Sequence, residues 1–224
     1  MAKKRLFDLS DVHLYCVTTP PKPGRNYHDM VESALKGGAD AVQLREKDLS
    51  ARELIRLAKD LQALCDRFGA LFFLNDRVDA AFAADVDGVH LGQEDLPIRT
   101  AREILGHRKL IGASCHSTAQ ALAAHGDGAD YVSCGPLFAT PTKPDYRPVT
   151  LDLIAQYRQV VRLPFVAIGG IDGTNVEQVI RAGADRVAVV RAVCGADDPE
   201  AAARSIKERI LRVKAERVSA MALG

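Results

Sequence analysis

"GADAVQL" (38–44), "GADYVSC" (128–134) and "GADRVAV" (183–189) repeat one junction: a helical segment, then Gly-Ala-Asp, then a strand-like run. Glycine just past a helix accepts the left-handed backbone needed to turn the chain back toward a sheet. Recurrence of that turn is what a repeated βα unit produces. Outward from these junctions, short runs of strand character alternate with helical patterns: "HLYCVT" (13–18), "AVQLRE" (41–46), "LFFLND" (71–76), "GVHLG" (88–92), "LIGASC" (110–115), "YVSCG" (131–135), "FVAIGG" (165–170) and "RVAVVRA" (186–192). Eight strands, each followed by a helix, close most simply into a (β/α)8 TIM barrel. An open doubly wound sheet is the competing arrangement, but no G-x-G-x-x-G turn follows the first strand.

The helical segments carry start and stop signals. Ser50 with Glu53 forms a capping box ahead of Leu54, Leu57, Ala58, Leu61, Leu64, Cys65 and Phe68, and Gly69 closes the run. Ser117 with Gln120 and Thr174 with Glu177 offer two more boxes, and Asp198-Pro199 opens the last helix. With no Pro/Gly/Ser-rich linker and no shift in composition, the 224 residues read as a single α/β TIM-barrel domain, its core at about 12–215 between short tails. Lys plus Arg number 30 against 29 Asp plus Glu, so there is no basic surplus of the kind nucleic-acid binding leaves, and any anion site is local. No run approaches membrane-spanning length and the N-terminus lacks an apolar signal core, which together suggest a cytoplasmic protein. The five cysteines have no C-x-x-C spacing and read as reduced, buried small hydrophobes.

In a barrel, chemistry belongs at the carboxyl ends of the strands. In "AVQLREK" the period of two sets Gln43, Arg45 and Lys47 on one side and Val42 and Leu44 on the other. Strand three ends in Asn75-Asp76, and Asp95 lies in the loop after strand four. An isolated aspartate in either place reads as a helix N-cap. Beside Arg45 and Lys47, on strands about 4.8 Å apart, the pair suggests a Mg2+–phosphate site. Ser114 and His116 share parity at the end of strand five. His116 is open to two readings, an acid/base group or a hydrogen-bonded strand end, whereas His90 reads as orienting or packing. Gly169-Gly170 after strand seven lets an anion approach backbone N–H groups, with Arg191 nearby. In "ATPTKPDYRP", Thr140, Thr142 and Lys143 supply donors that Pro141 and Pro144 stiffen, which looks like a phosphate clasp. No Ser–His–Asp or Cys–His arrangement is recognisable.

"QLREKD", "LNDRVDAA", "DGVHLGQEDLP", "IGASCHS", "GADYVSCGPLFATPTKPDYRP" and "AIGGI" together, in order and over nearly the whole chain, resemble the thiamine phosphate synthase family. The resemblance implies a TIM barrel that joins a hydroxymethylpyrimidine diphosphate to a thiazole phosphate, giving thiamine phosphate and pyrophosphate. It implies that Gln43, Leu44, Arg45, Glu46, Lys47, Asn75, Ser114 and Lys143 hold the pyrimidine diphosphate, with Arg45, Lys47, Ser114 and Lys143 assisting its departure. Asp76 and Asp95 would bind Mg2+. Thr140, Pro141, Thr142, Gly170, Val190 and Arg191 would hold the thiazole phosphate, Arg191 standing where the family's better-known members have serine. Partners are then small molecules, with no nucleic acid and no membrane, and a homo-oligomer is allowed. Two competing readings are a thiazole phosphate isomerase on the same barrel and a non-catalytic barrel that binds a phosphorylated metabolite. Neither would need the paired carboxylates.

Overall fold

The structure, a computed structural model, describes residues 9–140 and 148–222. The expected strands are all present: β1 (Leu14–Val17), β2 (Ala41–Leu44), β3 (Leu71–Asn75), β4 (Gly88–Leu91), β5 (Leu110–Ala113), β6 (Tyr131–Cys134), β7 (Phe165–Ala167) and β8 (Val187–Val189). They pair in parallel in chain order, and β1 also pairs with β8, so the sheet is a closed barrel. Around it run α1 (Tyr27–Lys36), α2 (Ala51–Phe68), α3 (Val78–Ala84), α4 (Ile98–Leu105), α5 (Thr118–Gly126), α6 (Asp152–Val160), α7 (Val176–Arg181), α8 (Arg191–Cys194) and α9 (Pro199–Ala222). None of these helices is long and apolar enough to cross a membrane.

Alternation along the strands sorts the core into two layers. Leu14, Cys16, Val42, Leu44, Phe72, Leu74, Val132 and Cys134 face outward and pack under the helices. Tyr15, Val17, Ala41, Leu71, Phe73, Leu110, Tyr131, Val166 and Ala188 fill the barrel interior, with Leu9 and Val12. Two inward positions are glycines, and both are forced. A Cβ on Gly88 would lie 2.9 Å from the Phe73 ring, and one on Gly112 would lie 2.1 Å from the ring of Tyr131. The cysteines are free and buried as expected. Burial pushes the thiols of Cys115, Cys134 and Cys194 up to about 12, which leaves them inert.

The Gly-Ala-Asp junctions have a physical explanation. Gly38, Gly128 and Gly183 take φ of 95°, 97° and 117°, where a side chain would be strained. The aspartate that follows ties strands together at the amino end of the barrel. Asp40 accepts from the His13 and Leu14 N–H groups at 2.8 and 2.9 Å and pairs with Lys207 of α9. Asp130 accepts from Ile111 N–H at 2.7 Å and pairs with Arg102 of α4. Asp87 does the same for Phe72 at 2.9 Å. Each reaches back to the start of the preceding strand. Asp185 instead pairs with Arg158 and Arg217.

Three local expectations are revised. Ser50 and Glu53 form the full capping box, but at Ser117 only half of one exists, because Gln120 Oε1 takes the N–H of His116. Thr174 and Glu177 form none. Helix α7 starts one residue later, at Val176 with Asn175 at the N-cap position, and Thr174 instead donates to Asp172 from its N–H (2.8 Å) and its hydroxyl (2.6 Å). The last strand ends at Val189, since Val190 caps α8 and Arg191 is its first residue.

Replacing Asp130 with Ala leaves the Ile111 N–H and the Arg102 guanidinium without their shared acceptor, at a cost of about 1–3 kcal/mol. The melting temperature should then fall by roughly 5 °C with the circular dichroism spectrum intact. An unshifted melting curve would show that the staple contributes nothing.

Candidate active site

At the carboxyl end of the strands the barrel opens into a cavity of about 340 Å3. Gln43, Arg45, Asn75, Ser114, Thr140, Gly170, Val190 and Arg191 all line it, so the structure brings together residues spread over most of the chain. Leu44 does not join them: its side chain is buried in the layer beneath the helices, leaving only its backbone near the mouth. Lys47 is exposed on the rim. Glu46 is occupied structurally. It accepts from the Tyr27 hydroxyl and from Asp48 N–H, and against partial burial these bonds hold its carboxyl below the usual range. Pro141, Thr142, Lys143 and Pro144 lie outside the described residues.

Asp76 and Asp95 face each other, and neither caps a helix. Asp76 sits at a φ of 63°, rare for a residue with a side chain, with its N–H donating to His90 O at 2.9 Å. The Asp95 carboxylate accepts from Gly92 N–H at 2.6 Å. Burial, and then the hydrogen bond and repulsion from Asp95, push the Asp76 carboxyl up to about 6, against the pull of Lys47 and Arg45. Two hard oxygen donors that repel each other suit a divalent cation. Among the described residues no cluster of three or more His, Cys, Asp or Glu residues forms a fuller cage.

The β6 loop and the glycine corner are one unit. Leu137 and Phe138 donate to Ile168 O and Gly169 O at 2.9 and 3.0 Å. A Cβ on Gly169 would lie 2.4 Å from Pro136, and one on Gly170 would lie 2.7 Å from Ala139 O. Side-chain-free backbone is therefore required at both positions. Asn175 locks the corner, donating to Gly170 O at 2.8 Å.

The floor of the cavity was not foreseen from the sequence. Gln43 Nε2 donates to the Tyr15 hydroxyl at 2.9 Å, and the Tyr15 and Tyr131 hydroxyls lie 3.0 Å apart. Tyr131 reaches His90 Nδ1 at 3.1 Å, and His90 Nε2 reaches Ser114 Oγ at 3.0 Å. His90 thus orients its neighbours, as read, and it brings a histidine against a serine that sequence spacing had not connected. His116 lines the cavity and is hydrogen-bonded there, with Nδ1 2.5 Å from Gly135 O. The available signal for the floor was parity: Tyr15 and Tyr131 occupy the same inward positions as Gln43.

Fold and cavity define a parallel (β/α)8-barrel protein with a pocket at the strands' carboxyl ends, in which a few polar side chains stand on a largely apolar lining. The chain belongs to the thiamine monophosphate synthase family, which it matches over residues 14–193. It is 49% identical to the thiamine-phosphate synthase of Chloroflexus aurantiacus over 88% of this chain and 92% of that one. It is 48% identical to that of Thermosynechococcus vestitus over 92% of this chain, but spans only 58% of that longer protein. The solved thiamine phosphate pyrophosphorylase of Pyrococcus furiosus superposes with a TM-score of 0.84 at 40% identity, covering 90% of this chain and 96% of that one.

The raised Asp76 carboxyl gives a pH dependence with a definite sign. A carboxyl that holds its proton more tightly when folded favours the fold at low pH, and that contribution is lost as pH rises through about 6. In EDTA, Asp76→Asn, which tolerates the left-handed backbone, should therefore match the unsubstituted protein in melting temperature near pH 4 and exceed it above pH 7. Parallel curves across that range would contradict the assignment.

Proposed function

We propose that this chain condenses 4-amino-2-methyl-5-hydroxymethylpyrimidine diphosphate with 4-methyl-5-(2-phosphoethyl)thiazole, or its carboxylated form, releasing pyrophosphate. The observation that carries the reading is one cavity at the carboxyl ends of the strands. It gathers Gln43, Arg45, Asn75 and Ser114 on one side and Thr140, Gly170 and Arg191 on the other, beside a carboxylate pair, in a chain of this family. Gln43 and Asn75 hold the pyrimidine, while Arg45, Lys47 and Lys143 neutralise the diphosphate and Ser114 donates to it. Mg2+ is the cation we assign to Asp76 and Asp95, where it would supply charge to the diphosphate oxygens. The backbone at Gly170 and Val190, with Arg191, Thr140, Pro141 and Thr142, holds the thiazole phosphate.

The reading is dissociative. Neutralising the leaving diphosphate permits C–O cleavage, the electron-rich aminopyrimidine carries positive charge on its methylene carbon, and the thiazole nitrogen captures that carbon. The protein's part is positioning and charge, so no general base is assigned. Five free, buried thiols suit a reducing cytoplasm.

Purified protein with both heterocycles and Mg2+ should release pyrophosphate, and EDTA should stop it. Asp76→Ala with Asp95→Ala should lower turnover at least a hundredfold, about 2.7 kcal/mol, and abolish the Mg2+ requirement. Full activity in the double variant would refute the metal assignment. Arg191→Ser should raise the KM for the thiazole phosphate several-fold and leave that for the pyrimidine diphosphate unchanged. The opposite pattern would place Arg191 on the other substrate.

A further inference from the structure

Five polar groups, four on strands and Ser114 just past the end of β5, form an unbroken hydrogen-bonded chain across the barrel: Gln43, Tyr15, Tyr131, His90 and Ser114. Its direction follows from counting hydrogens. Gln43 Nε2 is a donor, so the Tyr15 oxygen accepts, and the single Tyr15 hydrogen must go elsewhere. Tyr15 is 2% exposed, and its one other partner among the described residues is Tyr131. Tyr15 therefore donates to Tyr131, and Tyr131 donates to His90 Nδ1. His90, accepting there, carries its hydrogen on Nε2 and gives it to Ser114 Oγ. The reverse order would strand the Tyr15 hydrogen in the interior, at the full cost of a buried unsatisfied donor.

The geometry is built rather than incidental. β-Pairing sets His90 beside Gly112 and Gly112 beside Tyr131. A side chain at Gly112 would occupy the space of the Tyr131 ring, its Cβ falling 2.5 Å from the hydroxyl oxygen. The Tyr131 ring is braced by Phe73, centroids 5.4 Å apart.

We propose that Tyr15, Tyr131 and His90 are positioning residues that impose the polarity of Gln43 on Ser114, so that the Ser114 hydroxyl keeps its hydrogen for the cavity. With one Nε2 hydrogen of Gln43 held by Tyr15, the orientation of the amide is fixed and its Oε1 is presented to accept from a ligand amine. One ligand carrying an amine at that end and an anionic leaving group at the other then meets an acceptor and a donor set by the same chain. Rotating the Gln43 amide would reverse every bond, and a ligand amine bound to Oε1 prevents it. The inference rests on the proposed roles of Gln43 and Ser114 as substrate contacts.

The test has two arms. In the unsubstituted protein, nitrogen-15 NMR of labelled histidine should show His90 as the Nε2–H tautomer, and in Tyr131→Phe that preference should be lost. An Nδ1–H tautomer in the unsubstituted protein would overturn the polarity. In the pyrophosphate assay, Tyr131→Phe should lower kcat about tenfold with the KM for thiazole phosphate unchanged, while the melting temperature falls by a few degrees because the buried Tyr15 hydroxyl loses its acceptor. It should add less than twofold to the effect of Ser114→Ala. Multiplying effects would mean that Tyr131 does not act through Ser114 and would overturn the proposal. If the unsubstituted protein releases no pyrophosphate, the functional reading fails, and the tautomer still decides the chain's direction.

Discussion

The contact on which the site depends is the crossing of the barrel by Tyr131, possible only because Gly112 on the neighbouring strand has no side chain. A closed eight-stranded barrel has room for a few side chains per layer, so each inward residue decides what its neighbours can be. Giving one position to glycine lets a phenol from β6 lie over β5 and reach a histidine on β4. Gly88 makes the same concession to Phe73. The result is a floor at mid-height. Below it Leu9, Val12, Leu71 and Leu110 close the barrel with apolar atoms, and above it the interior opens into the cavity, where polar groups join an apolar lining.

The two ends of the barrel use aspartate in opposite ways. At the amino end, Asp40, Asp87 and Asp130 are satisfied by backbone N–H groups and, for two of them, by cations from the helices. Those carboxylates hold the strands in place. At the carboxyl end, Asp76 has a strained backbone and faces another carboxylate, so that it holds its proton to about 6. Strain and repulsion of this kind lower stability and persist where the surrounding fold over-determines them. The molecule therefore puts its stabilising charge at one rim and its destabilising charge at the other, beside the cavity.

Legibility in the sequence followed the same division. The eight strands and the Gly-Ala-Asp turns were visible because they rest on local rules, alternation and left-handed glycine, which need no knowledge of neighbours. The rim residues were visible because polar side chains at strand ends are unusual. Thr174 misled because its hydroxyl found Asp172 two residues back in place of a helix N-terminus. Leu44 stands among the polar rim residues in sequence, yet its parity turns it under the helices. The floor was hidden for a different reason. A tyrosine in a strand looks like core, and only closure of the barrel sets Tyr15 within 3.0 Å of Tyr131, 116 positions away.

That floor also bears on which chemistry the cavity can support. Ser114 beside His90 resembles two members of a nucleophilic triad, and such a pair calls for an anionic third group to steady the imidazolium that forms. Here the third group is Tyr131. Burial, reinforced by Tyr15, raises its phenol well above the ordinary value, so it stays neutral and donates to the ring. A histidine that accepts from a neutral phenol and donates to the serine has no vacancy for the serine's proton. Ser114 is thereby held back from nucleophilic attack and kept as a hydrogen-bond donor. A site with fixed donors, cations and a carboxylate pair suits reactions in which a charged group leaves unaided by proton abstraction. Diphosphate departure from a cation-stabilising carbon is a reaction of that type.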